Sequence, residues 1–268
     1  MIPLIALGLL LFGGIFGLWW QRARNREQLL NAALFPDEWE IINRSVPIIS
    51  KLPPELRGNF EGKVSLFLDQ VEFIGCDGLE VTQEMELSIA AQASLLVVNT
   101  DFWYDTLRTI LIYPGAFKSR QARRAGFVVQ ERDVIRAGES WDRGPVILSW
   151  AHSAAGARDH DDGQNVVFHE FAHQLDNLSG QTDGFPLLHR DQDYAVWHRA
   201  MQLGFERLCA DVKQGHKNVI DAYGTTGPEE FFAVCVELFL ERPQDLKHQE
   251  LELYQQLSAL FKLDPINW

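Results

Sequence analysis

The 268-residue sequence predicts an α+β fold, mostly helical with one small sheet, behind a single N-terminal membrane-spanning helix. Three observations carry this prediction. An uncharged apolar run fills residues 2–20. Apolar residues at helical spacing recur through residues 38–93 and again after residue 160. Short runs of β character are confined to residues 95–150. The composition agrees, since 46% hydrophobic and 23% charged residues belong to a folded chain rather than a disordered one. A formal net charge of −13 argues against direct binding to nucleic acid, which needs clustered Lys and Arg. The three cysteines, Cys76, Cys209 and Cys235, are odd in number and far apart. They form neither a disulfide framework nor a CxxC metal site, and they fit a reducing compartment.

Taken in order, the run Ile2–Trp20 comes first. At about 1.5 Å per residue it spans, or nearly spans, a hydrocarbon core of roughly 30 Å. Trp19 and Trp20 close it, and Arg22, Arg24 and Arg26 follow. Indole rings favour the headgroup zone, and the positive-inside rule puts the arginine side in the cytoplasm. A cleaved signal peptide would need a basic start and a small-residue cleavage site, and neither is present. The sequence thus predicts a single-pass inner-membrane protein. Residues 1–21 are the anchor, 22–35 a juxtamembrane segment, and 36–268 one cytoplasmic domain undivided by any Gly/Ser/Pro-rich linker.

Within that domain, residues 38–70 read as helix interrupted at Pro47, Pro53 and Pro54. Leu56, Phe60, Val64, Phe67 and Leu68 keep a helical period, and Glu84–Ala93 reads as another helix. Strands are predicted at Leu95–Val98, at Thr109–Tyr113 before Pro114–Gly115, at Phe127–Gln130 and at Pro145–Trp150. After residue 160 helices dominate. The acidic stretch Asp159–His160–Asp161–Asp162–Gly163 lacks the spacing of an EF-hand and reads as a solvated loop leading into a helix.

That next helix carries the chemistry. His169–Glu170–Phe171–Ala172–His173 is an H-E-x-x-H sequence. Residues i and i+4 lie on one helix face, so His169 and His173 can both reach one Zn²⁺, and Glu170 can address a water beside it as general base. Asn165 is placed to cap the helix, and Asn177–Gly180 to end it. A hydrolytic zinc site needs a third protein ligand and an open position. A metzincin would have Gly at 176 and His at 179, but this chain has Asp176 and Ser179. A purely structural zinc domain would need a fourth protein ligand, for which the histidines at 152, 160, 189, 198, 216 and 248 have no motif spacing to the helix; the metzincin pattern fails as well. The third ligand is therefore expected to be a carboxylate on a later helix, Pro228–Glu241, whose acids are Glu229, Glu230, Glu237 and Glu241. Glu230 and Glu237 share a face with Val234, and spacing alone does not choose among the acids. One can bind metal while the other orients a ligand. Asp176, one turn beyond His173, either supports the site or caps the helix end.

Further segments stand in a distinctive order: Leu52–Pro53–Pro54–Glu55–Leu56–Arg57, Gly75–Cys76–Asp77–Gly78–Leu79–Glu80–Val81–Thr82, Tyr113–Pro114–Gly115–Ala116–Phe117, Gly138–Glu139–Ser140–Trp141 and Gly144–Pro145–Val146–Ile147–Leu148–Ser149–Trp150. The segment 165–176 and Tyr223–Gly224–Thr225–Thr226–Gly227–Pro228–Glu229–Glu230–Phe231–Phe232–Ala233–Val234 complete the set. Over residues 36–268 the chain resembles the Mlc titration factor A family of bacterial zinc peptidases, whose zinc site is similar to that of the anthrax lethal factor protease domain. The resemblance implies a zincin-like metallopeptidase domain with Zn²⁺ as cofactor. It selects Glu230 as third ligand beside His169 and His173, and points to Tyr223 as a phenol facing the metal. It implies a peptide or protein substrate, cut with Glu170 as base and Tyr223 as oxyanion donor, and leaves aminopeptidase and endopeptidase action both open. It also implies an alternative, a zinc-containing regulator of sugar uptake that binds and inactivates a transcriptional repressor. A substrate strand is expected to pair with the sheet edge near Val146–Trp150.

Overall fold

A computed structural model describes residues 17, 19–125, 128–140 and 144–268, without the side chains of 118–125 and 128–136. Its first helix, α1, covers residues 19–30 and carries Arg22, Arg24, Arg26 and Glu27. Among the described residues no helix is long and apolar enough to cross a membrane. This corrects the expectation of a single-pass inner-membrane protein with a cytoplasmic domain. From residue 22 on, α1 carries too many charges to lie in hydrocarbon. The rest of the run Ile2–Trp20 lies outside the described residues. Instead of standing away, α1 docks on the body. The carbonyl of Leu30 lies only 2.0 Å from where a Cβ at Gly62 would be, and the Arg26 guanidinium sits over the Trp103 ring at 5.5 Å. Leu34 is in the core.

The helices α2 (Pro36–Ser45) and α3 (Arg57–Gln70) are separated by two short 3₁₀ turns, Pro47–Lys51 and Pro54–Leu56. The breaks fall at the prolines, which lack the N–H that would continue the helix. β1 (Glu72–Gly75) follows, then α4 (Gln83–Val97), capped by the Thr82 hydroxyl. From Leu87 onward α4 is buried on every side in the middle of the molecule. Leu95–Val98 was expected as a strand, yet residues 95–97 are the last turn of α4. A short continuous apolar run fits a buried helix as well as a buried strand. The Lys63 ammonium donates to the carbonyls of Val97 and Thr100 just past this helix end, where a positive charge complements the dipole.

β2 (Thr109–Tyr113) stops at Pro114–Gly115, as predicted. A hairpin of β3 (Phe117–Ala125) and β4 (Val128–Arg136) comes next, then β5 (Gly138–Ser140) and β6 (Val146–Ser149). The strand expected at Phe127–Gln130 is the start of β4, except Phe127, which lies outside the described residues. The main sheet runs β1-β2-β6-β5. Its first three strands are parallel, with α4 crossing between β1 and β2, and β5 pairs antiparallel to β6. β6 is therefore interior, and the edge expected at Val146–Trp150 is instead β5. Trp150 opens α5 (Trp150–Arg158).

The rest is helical, as the sequence indicated. α6 (Val166–Asp176) is followed by α7 (Tyr194–Gln214), α8 (Pro228–Glu241), α9 (Pro243–Gln249) and α10 (Leu251–Phe261). One apolar core joins both halves. Phe171 of α6 meets Tyr104 at 5.0 Å and Phe67 of α3 at 5.6 Å between ring centroids. Burying a Phe is worth about 1.5–3 kcal/mol, so these rings fix the back of α6 and leave its other face to the site.

Candidate metal centre

The site is built by two helices lying side by side in opposite directions. α6 begins where Asn165 Oδ1 accepts the N–H groups of Val167 and Phe168, at 3.0 and 3.1 Å. From this start His169 and His173 fall one turn apart on the face toward α8. The Nε2 atoms of the two rings are 3.2 Å apart. Glu230, in the first turn of α8, brings Oε2 to 2.9 Å from His169 Nε2 and 3.4 Å from His173 Nε2. Ligand atoms of His169, His173 and Glu230 all lie within 4.8 Å of one another. Two imidazoles and one carboxylate converging at this separation suit a tetrahedral divalent ion with an open position.

Both ends of α8 are pinned to α6. On the far side of His169, Nδ1 donates to Glu237 Oε1 at 2.8 Å, and the other Glu237 oxygen accepts the backbone N–H of Asn165. One turn later, Glu241 accepts from Gly163 N–H and Asn165 Nδ2, both at 3.1 Å. At the opposite end, Asp176 Oδ2 accepts Gly184 N–H at 2.6 Å. Gly184 has φ +82°, and a Cβ there would lie 2.6 Å from the Pro228 carbonyl at the start of α8. Asp176 thus ties the end of α6 to a loop seated against the turn that carries Glu230. The sequence left Asp176 and Glu237 open between supporting and structural roles, and each joins the two helices.

The histidines and carboxylates of the cluster are strongly paired. Burial opposes charge on both partners, but hydrogen bonds outweigh it. They hold the Glu230 carboxyl well below the usual carboxylate range and raise His169 well above the usual imidazole value. Burial pushes Asp176 up to about 6 and Glu241 up to about 8.

Glu170, the residue after His169, is almost wholly buried. A Cβ on Gly138 of β5 would sit 2.4 Å from Glu170 Oε1 and 2.7 Å from Val166 Cγ2. The edge strand therefore passes directly against the acid. Gln174 donates to the Ser140 hydroxyl, a second link between α6 and β5. Tyr223 is half exposed, with its ring 5.9 Å from the His169 ring. It rides on a 3₁₀ turn, Ala222–Thr226, whose start is held by Asp221 Oδ1 accepting Tyr223 N–H at 2.7 Å. Gly224 lets this turn press on α8, since a Cβ there would lie 2.8 Å from Val234 Cγ2.

All five residues singled out from sequence thus fall in one region. Glu241 was one of the α8 acids that spacing left open, whereas the packing roles of Gly138 and Gly184 were not foreseen. The signal for Glu241 was available, because it shares a face of an otherwise apolar helix with Glu230 and Glu237. Gly138 and Gly184 act through backbone proximity, which spacing does not reveal.

A family model described as glucose-regulated metallo-peptidase M90 matches residues 18–262. The uncharacterized protein slr2042 of Synechocystis is 42% identical over 245 residues, covering 90% of this chain and 89% of that protein. Mlc titration factor A of Pectobacterium atrosepticum is 29% identical over 229 residues, covering 83% and 84%. The protein of the same name from Klebsiella pneumoniae is 29% identical over 230 residues, with the same two shares.

Proposed function

The chain belongs to the glucose-regulated metallo-peptidase M90 family, and from that premise we propose that it is a zinc-dependent peptidase. His169, His173 and Glu230 would hold the ion. Zn²⁺ bound there would supply Lewis acidity toward the scissile carbonyl and toward a water molecule. Glu170 takes the proton of the attacking water and returns it to the leaving amine. Tyr223 donates a hydrogen bond to the oxygen on which charge develops. Glu237 holds the His169 ring in the orientation that presents Nε2. An extended substrate pairs with the open side of β5, which brings its backbone past Glu170.

The convergence of two histidines and Glu230, with Glu170 on the same helix, carries this reading. It favours a peptidase over a purely structural zinc domain, which would want four protein ligands. The choice between aminopeptidase and endopeptidase action rests with the cleavage pattern. The test is metal content followed by digestion of a mixed peptide library, with Glu170→Gln in parallel. About one zinc per chain in both proteins, and cleavage only by the unsubstituted one, is expected. Equal cleavage by Glu170→Gln would remove the base assignment.

A second reading follows from the name carried by the relatives at 29% identity, Mlc titration factor A. The chain would then capture a transcriptional repressor with its site region, and turnover would be incidental. Zinc without cleavage of any peptide, together with stable capture of such a repressor, would favour it.

A further inference from the structure

A cavity of about 340 Å³ opens beside β1, the free edge of the main sheet opposite β5. It lies between the start of α2, the end of α3, β1 and the first turns of α4, none of which carries a residue of the metal cluster. Leu68, Val71, Phe73 and Leu87 make the apolar part of its lining. The charged part is wholly acidic, Glu38, Glu72 and Glu86, and no Lys or Arg lines it. The volume is near the lower end of the roughly 300–1,000 Å³ of small-ligand pockets.

The fold does not neutralise these acids. Glu38 accepts the Phe35 N–H at 2.8 Å, and among the described residues Glu72 and Glu86 have no side-chain hydrogen bond or ion pair. Glu38 and Glu86 stand in the first turns of α2 and α4, where each helix end contributes roughly half a positive charge. Glu72 stands on a strand, without that compensation. Three carboxylates against two such ends leave a net charge of about −2. A compact metal ion does not meet it, because its oxygen ligands must converge on one point. The converging group among the described residues is His169, His173 and Glu230, and the three glutamates form none. An elongated organic cation with an apolar stem matches both parts of the lining. Arginine suits it better than lysine, since a weakly hydrated guanidinium offers five donors that separate carboxylates can share. The strand adds a backbone contact. Glu72 and Cys76 donate their N–H groups to the Arg108 and Ile112 carbonyls on the β2 side. Phe73, of opposite parity, therefore turns its N–H and carbonyl to the unpaired side.

We propose that this cavity is a docking site for an arginine side chain on an extended segment of a partner protein. The segment meets the free edge at Phe73. Its arginine lays the stem on the apolar lining and places the guanidinium among Glu38, Glu72 and Glu86. The net charge of −13 steers a basic partner toward the chain. The site is separate from the metal cluster and does not depend on the peptidase reading.

The test is fluorescence anisotropy of the full chain, carrying Glu170→Gln so that nothing is cut, with the labelled peptide Gly-Ser-Val-Arg-Val-Ser-Gly. Saturable, salt-sensitive binding is expected. Glu72→Gln/Glu86→Gln should weaken it roughly tenfold, with the thermal midpoint checked alongside. Glu55→Gln/Glu252→Gln removes the same charge at exposed positions outside the cavity and should change it little. A peptide with citrulline, the uncharged isostere, in place of arginine should bind about tenfold more weakly. No measurable binding, equal loss in the two variants, or equal binding of the citrulline peptide would overturn the proposal. So would loss of binding on removing zinc, which would put the peptide at the metal cluster, or equally tight binding of free L-arginine, which would make the cavity a small-molecule site. Because no turnover is measured, a chain that cleaves nothing can still pass, and an active peptidase can still fail.

Discussion

Glu230 and Glu237 approach the same imidazole from opposite sides, one at Nε2 and one at Nδ1, so substitution separates ligand from orienter. Glu230→Ala should abolish stoichiometric zinc binding. Glu237→Ala should keep the ion with affinity reduced about 10–100-fold, the usual cost of removing the partner behind a ligating histidine. It should also lower stability by roughly 1–3 kcal/mol, because the Asn165 N–H loses its buried acceptor. Zinc titration against a competing chelator reads both, and the opposite ranking would exchange the two roles. Tyr223 offers a cleaner separation. Tyr223→Phe keeps the ring beside His169 and removes only the hydroxyl, so zinc content should be unchanged. Turnover should fall by roughly 10²–10³ if the phenol stabilises the oxyanion. An unchanged kcat would return Tyr223 to a packing role beside His169.

At the scale of elements, the approach of β5 to α6 sets the position of the Glu170 carboxylate. A methyl at Gly138 has no room between Glu170 and Val166. Gly138→Ala should displace the Glu170 carboxylate, lowering kcat with zinc content unchanged, and destabilise the domain by about 1–3 kcal/mol through overpacking. Kinetics, metal analysis and thermal melting on one sample check this. The same pair of elements shows what the sequence could and could not reveal. α6 and α8 were legible to within a residue, because Asn165, Gly180 and Pro228 mark their ends and the pattern between is long. β2 was legible from its alternation and its terminating Pro114–Gly115. β1, β3 and β5 were not predicted. β1 and β5 are only four and three residues long, too short for a period of two to declare itself. The end of α4 read as a strand because a run apolar on every side has no period at all. Of the three side chains that converge, H-E-x-x-H gave His169 and His173, while spacing left the acids of α8 open and only the resemblance pointed to Glu230. The ties of the site through Gly163, Gly138 and Gly184 were not legible, because each depends on tertiary contact between backbone and side chain.

For the whole molecule, the chain is acidic and yet buries acids where its two helical walls join. Glu241 sits at that junction, with Glu237 from its own helix and Asp162 from the loop before α6 as its charged neighbours. Burial, reinforced by those two carboxylates, raises its pKa from 4.5 to about 8, against the hydrogen bonds from Asn165 and Gly163. The folded state therefore holds a proton that the unfolded chain has already lost across this interval. Stability from this group is fully present below about pH 4.5 and is lost as the pH rises through about 8. The zinc-held histidines titrate alike with and without Glu241, so the contribution of this group is read as the difference in thermal midpoint between the zinc-saturated protein and its Glu241→Gln variant from about pH 5 to about pH 8. Glu241→Gln retains one carbonyl acceptor at the junction and cannot ionise. It should melt lower than the unsubstituted protein at pH 5, because a buried donor loses its partner, and the gap should narrow toward pH 8 as the native carboxylate becomes charged. Parallel curves with a constant offset would mean that Glu241 is ionised throughout, and that the junction of α6 and α8 is held by a charged carboxylate rather than a protonated one.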